Sequence, residues 1–172
     1  MKMRIAAWTA GAALGVGLVS GAHAKDEGIA AKAAFQALAG LAGTWQGQAG
    51  GEPAQVGYRL ASAGSVVMET QFPGTDHEMI TMYHLDGAEL LATHYCAAGN
   101  QPRFKLDRKH STAAKLIFAF AGGSNLNPKR DSHIHGGAIA IQGPDAILAE
   151  WDHWQNGALD QKLQFDLQRR RD

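Results

Sequence analysis

The spacing of apolar residues changes period once along this chain, near residue 42. From Asp26 to Leu41 the spacing is helical: Ile29, Phe35, Leu38 and Leu41 share one face, with alanines filling the rest. Gly40 and Gly43 stand at the end of that pattern, where helices stop. Beyond them the period becomes two, and short strands alternate with turn signals. The pattern predicts strands near Trp45–Ala49, Gln55–Ser62, Ser65–Phe72, His77–Leu85 and Glu89–Cys96. Further strands follow near Arg103–Asp107, Lys115–Phe120, Ser132–Ile141, Ala146–Trp154 and Gln161–Gln168. Ala63-Gly64, Pro73-Gly74, Asp86-Gly87, Gly99-Asn100, Gly143-Pro144 and Asn156-Gly157 punctuate them. Ala121 to Asp131 is the longest stretch without a strand pattern and reads as a flap.

About ten strands joined by short hairpins predict an all-β domain, a single closed up-and-down antiparallel barrel with a short N-terminal helix. Closure removes the two sheet edges, which otherwise invite aggregation. The last strand alternates cleanly, with Leu163, Phe165 and Leu167 inward and Lys162, Gln164 and Asp166 outward. It must pair back to the strand carrying Trp45 if the barrel closes.

Residues 1–24 lie outside this pattern. Lys2 and Arg4 precede an apolar run from Ile5 to Val19, and Ala22-His23-Ala24 is followed by Lys25-Asp26-Glu27. These are the parts of a secretory signal peptide, so the expected domain is 25–172. The run is shorter than the roughly 20 residues that cross a bilayer, and no second long apolar segment follows. The expectation is a periplasmic or secreted protein with no membrane span after cleavage. No twin-Arg pair precedes the run and no Cys follows the cleavage signature, so neither cytoplasmic cofactor loading nor a lipoprotein anchor is indicated.

Charge narrows the partners. Lysine plus arginine equals aspartate plus glutamate at 16 each, and loss of Lys2 and Arg4 leaves the remainder slightly acidic. Lys129-Arg130 and Arg169-Arg170-Arg171 are short and separate, so no basic stripe suits nucleic acid. The single Cys96 excludes an internal disulfide and is either buried or reactive.

One helix, Gly43-Thr44-Trp45 on the first strand and ten meandering strands resemble the calycin-type barrels: lipocalins, fatty-acid-binding proteins and nitrobindin-like haem barrels. In that group a first-strand Trp stacks on an Arg at the end of the last strand, which the resemblance assigns to Trp45 with Arg169 or Arg170. Such a cation–π contact would close the barrel bottom. Phe72-Pro73-Gly74 through Met79, Tyr83-His84-Leu85-Asp86-Gly87, His94-Tyr95-Cys96 and Gly99-Asn100-Gln101-Pro102 also look like a group of exported bacterial proteins without assigned function. Nitrobindin-like barrels carry an inward haem-ligating His on the final strands; here that strand offers Leu163, Phe165 and Leu167, and His153 is the nearest substitute.

Two constellations could carry chemistry. A two-residue type I′ turn at Asp86-Gly87 would pair Leu85 with Ala88, Met79 with His94 and His77 with Cys96. His77, Met79, Thr81, Tyr83, His94 and Cys96 then share one face. Two imidazoles, a thiolate and a thioether suit Cu(I) or Zn(II), giving His77, His94 and Cys96 as candidate metal ligands. The alternative is a buried hydrophobic Cys with wall histidines bonded to their neighbours. In the second, alternation puts His133 and His135 on one face, able to chelate a metal or line a pocket. A four-residue loop would set Asp152 opposite His135. The alternative is an outer polar ladder, with Ile134, Ala138, Ala140, Ala149 and Trp151 inside.

No serine stands in a nucleophile-elbow context, and Gly122-Gly123 lacks the Lys and helix of a phosphate loop. The resulting expectation is an exported barrel holding a small, largely apolar ligand. Tyr83, His94, Asn100, His133, His135 and Trp151 are the candidate ligand-binding residues. Open alternatives are a haem- or soft-metal-binding barrel, an enzyme with a His/Asp acid–base pair, and a barrel filled completely by its own side chains.

Overall fold

The computed structural model describes residues 28–171; the signal-peptide expectation for 1–24 lies outside them. Helix α1 (Ala31–Ala39) is followed by ten strands: β1 (Gly43–Ala49), β2 (Glu52–Ala61), β3 (Val66–Gln71), β4 (Met79–Asp86) and β5 (Glu89–Tyr95), then β6 (Gln101–Leu106), β7 (Lys115–Ser124), β8 (His133–Ile141), β9 (Ala146–Gln155) and β10 (Ala158–Arg169). Every neighbouring pair is antiparallel, and β1 bonds to both β2 and β10, so the barrel is closed. The helix is shorter than its apolar pattern predicts. Gly28 takes φ +65 and the Ile29 N–H donates to the Arg108 carbonyl (3.0 Å), which holds this segment on the β6–β7 turn in place of a first helical turn. β7 also runs four residues further than its pattern, through Ser124.

α1 packs against the ends of β2 to β5 and closes one mouth. Its Ala31, Ala34 and Leu38 are buried, and Leu41 follows them into the core. Trp45, Tyr83, Leu90, Phe104, Phe118, Ile139, Ile147 and Leu167 fill the adjoining half of the barrel. Phe118 bridges Tyr83 (ring centroids 5.4 Å) and Trp151 (6.4 Å). Burial of this apolar surface is the main drive for closure.

The seam is a β1–β10 ladder running from Trp45 opposite Arg169 to Ala49 opposite Phe165. Gly47 is required there: a Cβ on it would run into the Asp166 carbonyl oxygen across the seam.

Two hairpins differ from their expected register. In β4–β5, Asp86 pairs with Glu89, so Gly87-Ala88 forms the turn. His94 lies opposite Thr81, and His77 stands in an exposed turn before β4 rather than opposite Cys96. The offset is two residues, so each side chain keeps the expected face. In β8–β9, Ile141 pairs with Ile147 rather than Ala146, which sets Asp152 opposite Gly136, not His135, and a bulge between Ile134 and Gly136 leaves His135 without a partner in the ladder. Gly136 has φ +155, and a Cβ on it would meet the Phe118 carbonyl at 2.8 Å. Ile139 points inward while Ala138 and Ala140 do not; His133 is buried and His135 half-buried.

Candidate functional site

The half of the barrel away from α1 is not filled. A cavity of about 300 Å³ opens there, bounded by the β1–β2 and β3–β4 turns and the start of β8. Met79, His94, Cys96, His133, Trp151 and Phe165 are among its walls. Ser132, His153, Phe72 and Leu163 stand around it too. Trp151, tilted against Phe104 (5.8 Å) and stacked on Phe118, separates it from the packed half. Phe72 is held at φ +52 and meets Phe165 at 5.7 Å. A bulky side chain rarely adopts that backbone region, and such strain clusters at ligand clamps.

Beside the cavity a polar row crosses four strands: Tyr58, Glu69, Thr81 and His94 are successive cross-strand partners. Glu69 is buried. Its carboxyl accepts from Tyr83 Oη (2.5 Å) and from Gln71 Nε2 (2.7 Å). Burial pushes the Glu69 carboxyl above its usual range, against the pull of the hydrogen bonds from Tyr83, Gln71 and Tyr58. Burial, reinforced by Glu69, also raises the Tyr58 and Tyr83 phenols.

His94 ends that row. Its Nδ1 shares a hydrogen bond with Thr81 Oγ1 (2.9 Å), and burial pushes its pKa down to about 4. The ring is therefore neutral at ordinary pH. Its Nε2 is buried without a protein partner, and so is Trp151 Nε1. Unpartnered buried polar atoms are uncommon and call for an explanation.

The cavity's other side carries two hydrogen-bonded chains. His133 Nδ1 donates to the Asp131 carbonyl (2.8 Å), so its Nε2 accepts from His135 Nδ1 (2.9 Å). His135 is stacked between Phe120 (4.3 Å) and Trp154 (3.9 Å), and burial, helped by His133, lowers its pKa. In the second chain, Ser132 Oγ lies 2.7 Å from His153 Nε2, and His153 Nδ1 lies 3.1 Å from Asp160 Oδ2. Asn100 Nδ2 donates to the Ser132 carbonyl (2.8 Å).

These positions sort the candidate residues. His94, His133 and Trp151 line the cavity together. Tyr83 stands in the packed half bonded to Glu69, His135 flanks the outer groove of β7–β9, and Asn100 is buried holding Ser132. Of the metal set, His94 and Cys96 reach the cavity and His77 does not. Among the described residues no three His, Cys, Asp or Glu side chains gather so as to hold a metal ion. His153, the position nearest the haem ligand of nitrobindin-like barrels, has both ring nitrogens engaged, so the residues there do not fit an axial haem ligand. Arg169 lies over Trp45, while the Arg170 backbone N–H donates to the Thr44 carbonyl (2.8 Å).

Glu69, Ser132 and Asp160 were not candidates from sequence. In Val66–Gln71 apolar residues fall on both faces, so alternation does not say that Glu69 points inward. Asp160 is the extra residue of a bulge between Leu159 and Gln161, which no motif announces.

The fold and site define a closed antiparallel barrel, half packed and half hollow, of the kind the calycin resemblance implies. Compared with protein-family models and with curated proteins, the chain matches none.

Proposed function

We propose that this protein is an exported binder of one small, largely apolar molecule, held in the cavity between Trp151 and the barrel mouth. The observation that carries this reading is the pairing of an apolar cavity with two buried, unpartnered polar atoms, His94 Nε2 and Trp151 Nε1. Binding sites have that composition: mostly apolar walls and a few fixed polar groups. An indole N–H only donates, so the occupant carries an acceptor oxygen. His94 is neutral at ordinary pH, so the cavity favours an uncharged or weakly polar head over a strong anion. At about 300 Å³ the space equals on the order of ten waters at about 30 Å³ each, which sets a small ligand. Export rests on residues 1–24 of the sequence.

Calorimetric titration with 2-naphthol, a compact aromatic with one oxygen, tests the reading. One-to-one saturation in wild type, lost in a Leu163→Trp variant that still melts cooperatively, is the expected result. Absence of binding to wild type, or equal binding to both proteins, would overturn it.

A further inference from the structure

Ser132, His153 and Asp160 form a continuous hydrogen-bonded chain beside the cavity, and nothing in the binding role requires it. We propose that this chain is an esterase site. Ser132 Oγ is its nucleophile, His153 its general base and Asp160 the positioning residue, and the substrate is a small ester whose acyl group occupies the cavity. The proposal rests on the cavity reading above for its substrate pocket.

The geometry carries it. Ser132 Oγ to His153 Nε2 is 2.7 Å and His153 Nδ1 to Asp160 Oδ2 is 3.1 Å, both within hydrogen-bond reach. A carboxylate can only accept, so it fixes the proton on Nδ1 and leaves the Nε2 lone pair facing the serine hydroxyl. Recognition of such a constellation depends on geometry and roles, not on sequence order or fold. Three separate features build it. The β10 bulge makes Asp160 an extra residue and so re-aims its carboxylate, as bulges do beside active sites. Buried Asn100 holds the Ser132 backbone through its carbonyl. Ser132 and His153 both line the cavity, whereas half-exposed Asp160 stands behind His153. The unpartnered Trp151 N–H, in the same cavity, is a donor for the oxyanion.

The reaction balances without another reagent than water. Ser132 Oγ attacks the ester carbonyl carbon while its proton passes to His153 Nε2. The tetrahedral intermediate expels the alcohol oxygen, which takes that proton, leaving an acyl-serine. Water then gives a proton to His153 Nε2 as its oxygen attacks the acyl carbon. Ser132 Oγ departs and recovers the proton, and the carboxylic acid is released.

A fluorophosphonate probe and p-nitrophenyl butyrate test the proposal on the whole protein. Wild type should gain one phosphonyl group on the peptide containing Ser132, and a Ser132→Ala variant that still melts cooperatively should gain none. Ester hydrolysis should fall by about a hundredfold or more in Ser132→Ala and His153→Gln. Asp160→Asn should lower kcat about tenfold with KM unchanged, a smaller loss because water reaches the carboxylate. Labelling that persists in Ser132→Ala would overturn the assignment. No labelling in a wild type that binds 2-naphthol would overturn the esterase and leave the binding role. No labelling together with no 2-naphthol binding would overturn both.

Discussion

The guanidinium of Arg169 lies 4.3 Å from the ring of Trp45, joining the last strand to the first across the barrel seam. The same side chain donates to the carbonyls of Ala42 (2.7 Å), Gly40 (3.2 Å) and Pro144 (2.9 Å). Trp45 Nε1 donates to Leu41 (2.8 Å). Two residues thus fix the chain leaving α1, the seam and the β8–β9 turn at once. Arg169→Ala should cost about 2–4 kcal/mol of stability, from the cation–π contact and the charge-assisted hydrogen bonds together. Arg169→Lys should recover less than half of that, because an ammonium cannot reproduce the planar fork. Urea denaturation of the three proteins measures both.

Glu69 places a carboxyl in the barrel interior, and its sign with pH is opposite to the usual surface carboxylate. Its folded pKa is raised, so the folded state holds the proton more tightly than the unfolded state. This group's stabilising contribution is complete below the ordinary value of 4.5 and is lost as pH rises through the raised one. Glu69→Gln should remove that slope while leaving stability at low pH within about 1 kcal/mol of wild type. Glu69→Ala leaves the Tyr83 and Gln71 donors without their acceptor, and should cost about 3 kcal/mol or more. Stability measured against pH for the two variants separates the charge from the hydrogen bonds.

His94 acts in the other direction. Its folded pKa of about 4 lies below the ordinary 6.5, so the unfolded chain binds the proton first. Stability should be fully present above about pH 6.5 and fall as pH drops to about 4. The total loss is roughly 3 kcal/mol at about 1.4 kcal/mol per unit. His94→Gln should flatten the curve over that window. A curve of unchanged slope in the variant would mean that His94 is not the buried neutral group described.

Much of the fold is legible in the sequence because closure imposes a strict alternation. Leu163, Phe165 and Leu167 face inward along β10, and Trp45 meets the last strand, where the period-two pattern puts them. Register is less legible. Asp86-Gly87 and Gly87-Ala88 are both acceptable turns, and only the packed barrel chooses between them. The site was hardest to read, because its key residues sit at departures from alternation. The β8 bulge takes His135 out of the ladder, the β10 bulge turns Asp160 onto His153, and Phe72 takes a backbone conformation that its residue type does not suggest. His94 and Cys96 were legible as sharing one face with Met79, Thr81 and Tyr83 because a register offset of two preserves faces.

The cavity reading is tested most directly by native mass spectrometry of the protein purified from its own host, compared with a Leu163→Trp variant produced in the same way. The expected result is a single non-covalent small-molecule adduct on the wild type and a bare mass for the folded variant. A bare mass for both proteins, or the same adduct on both, would contradict a ligand held between His94 and Trp151.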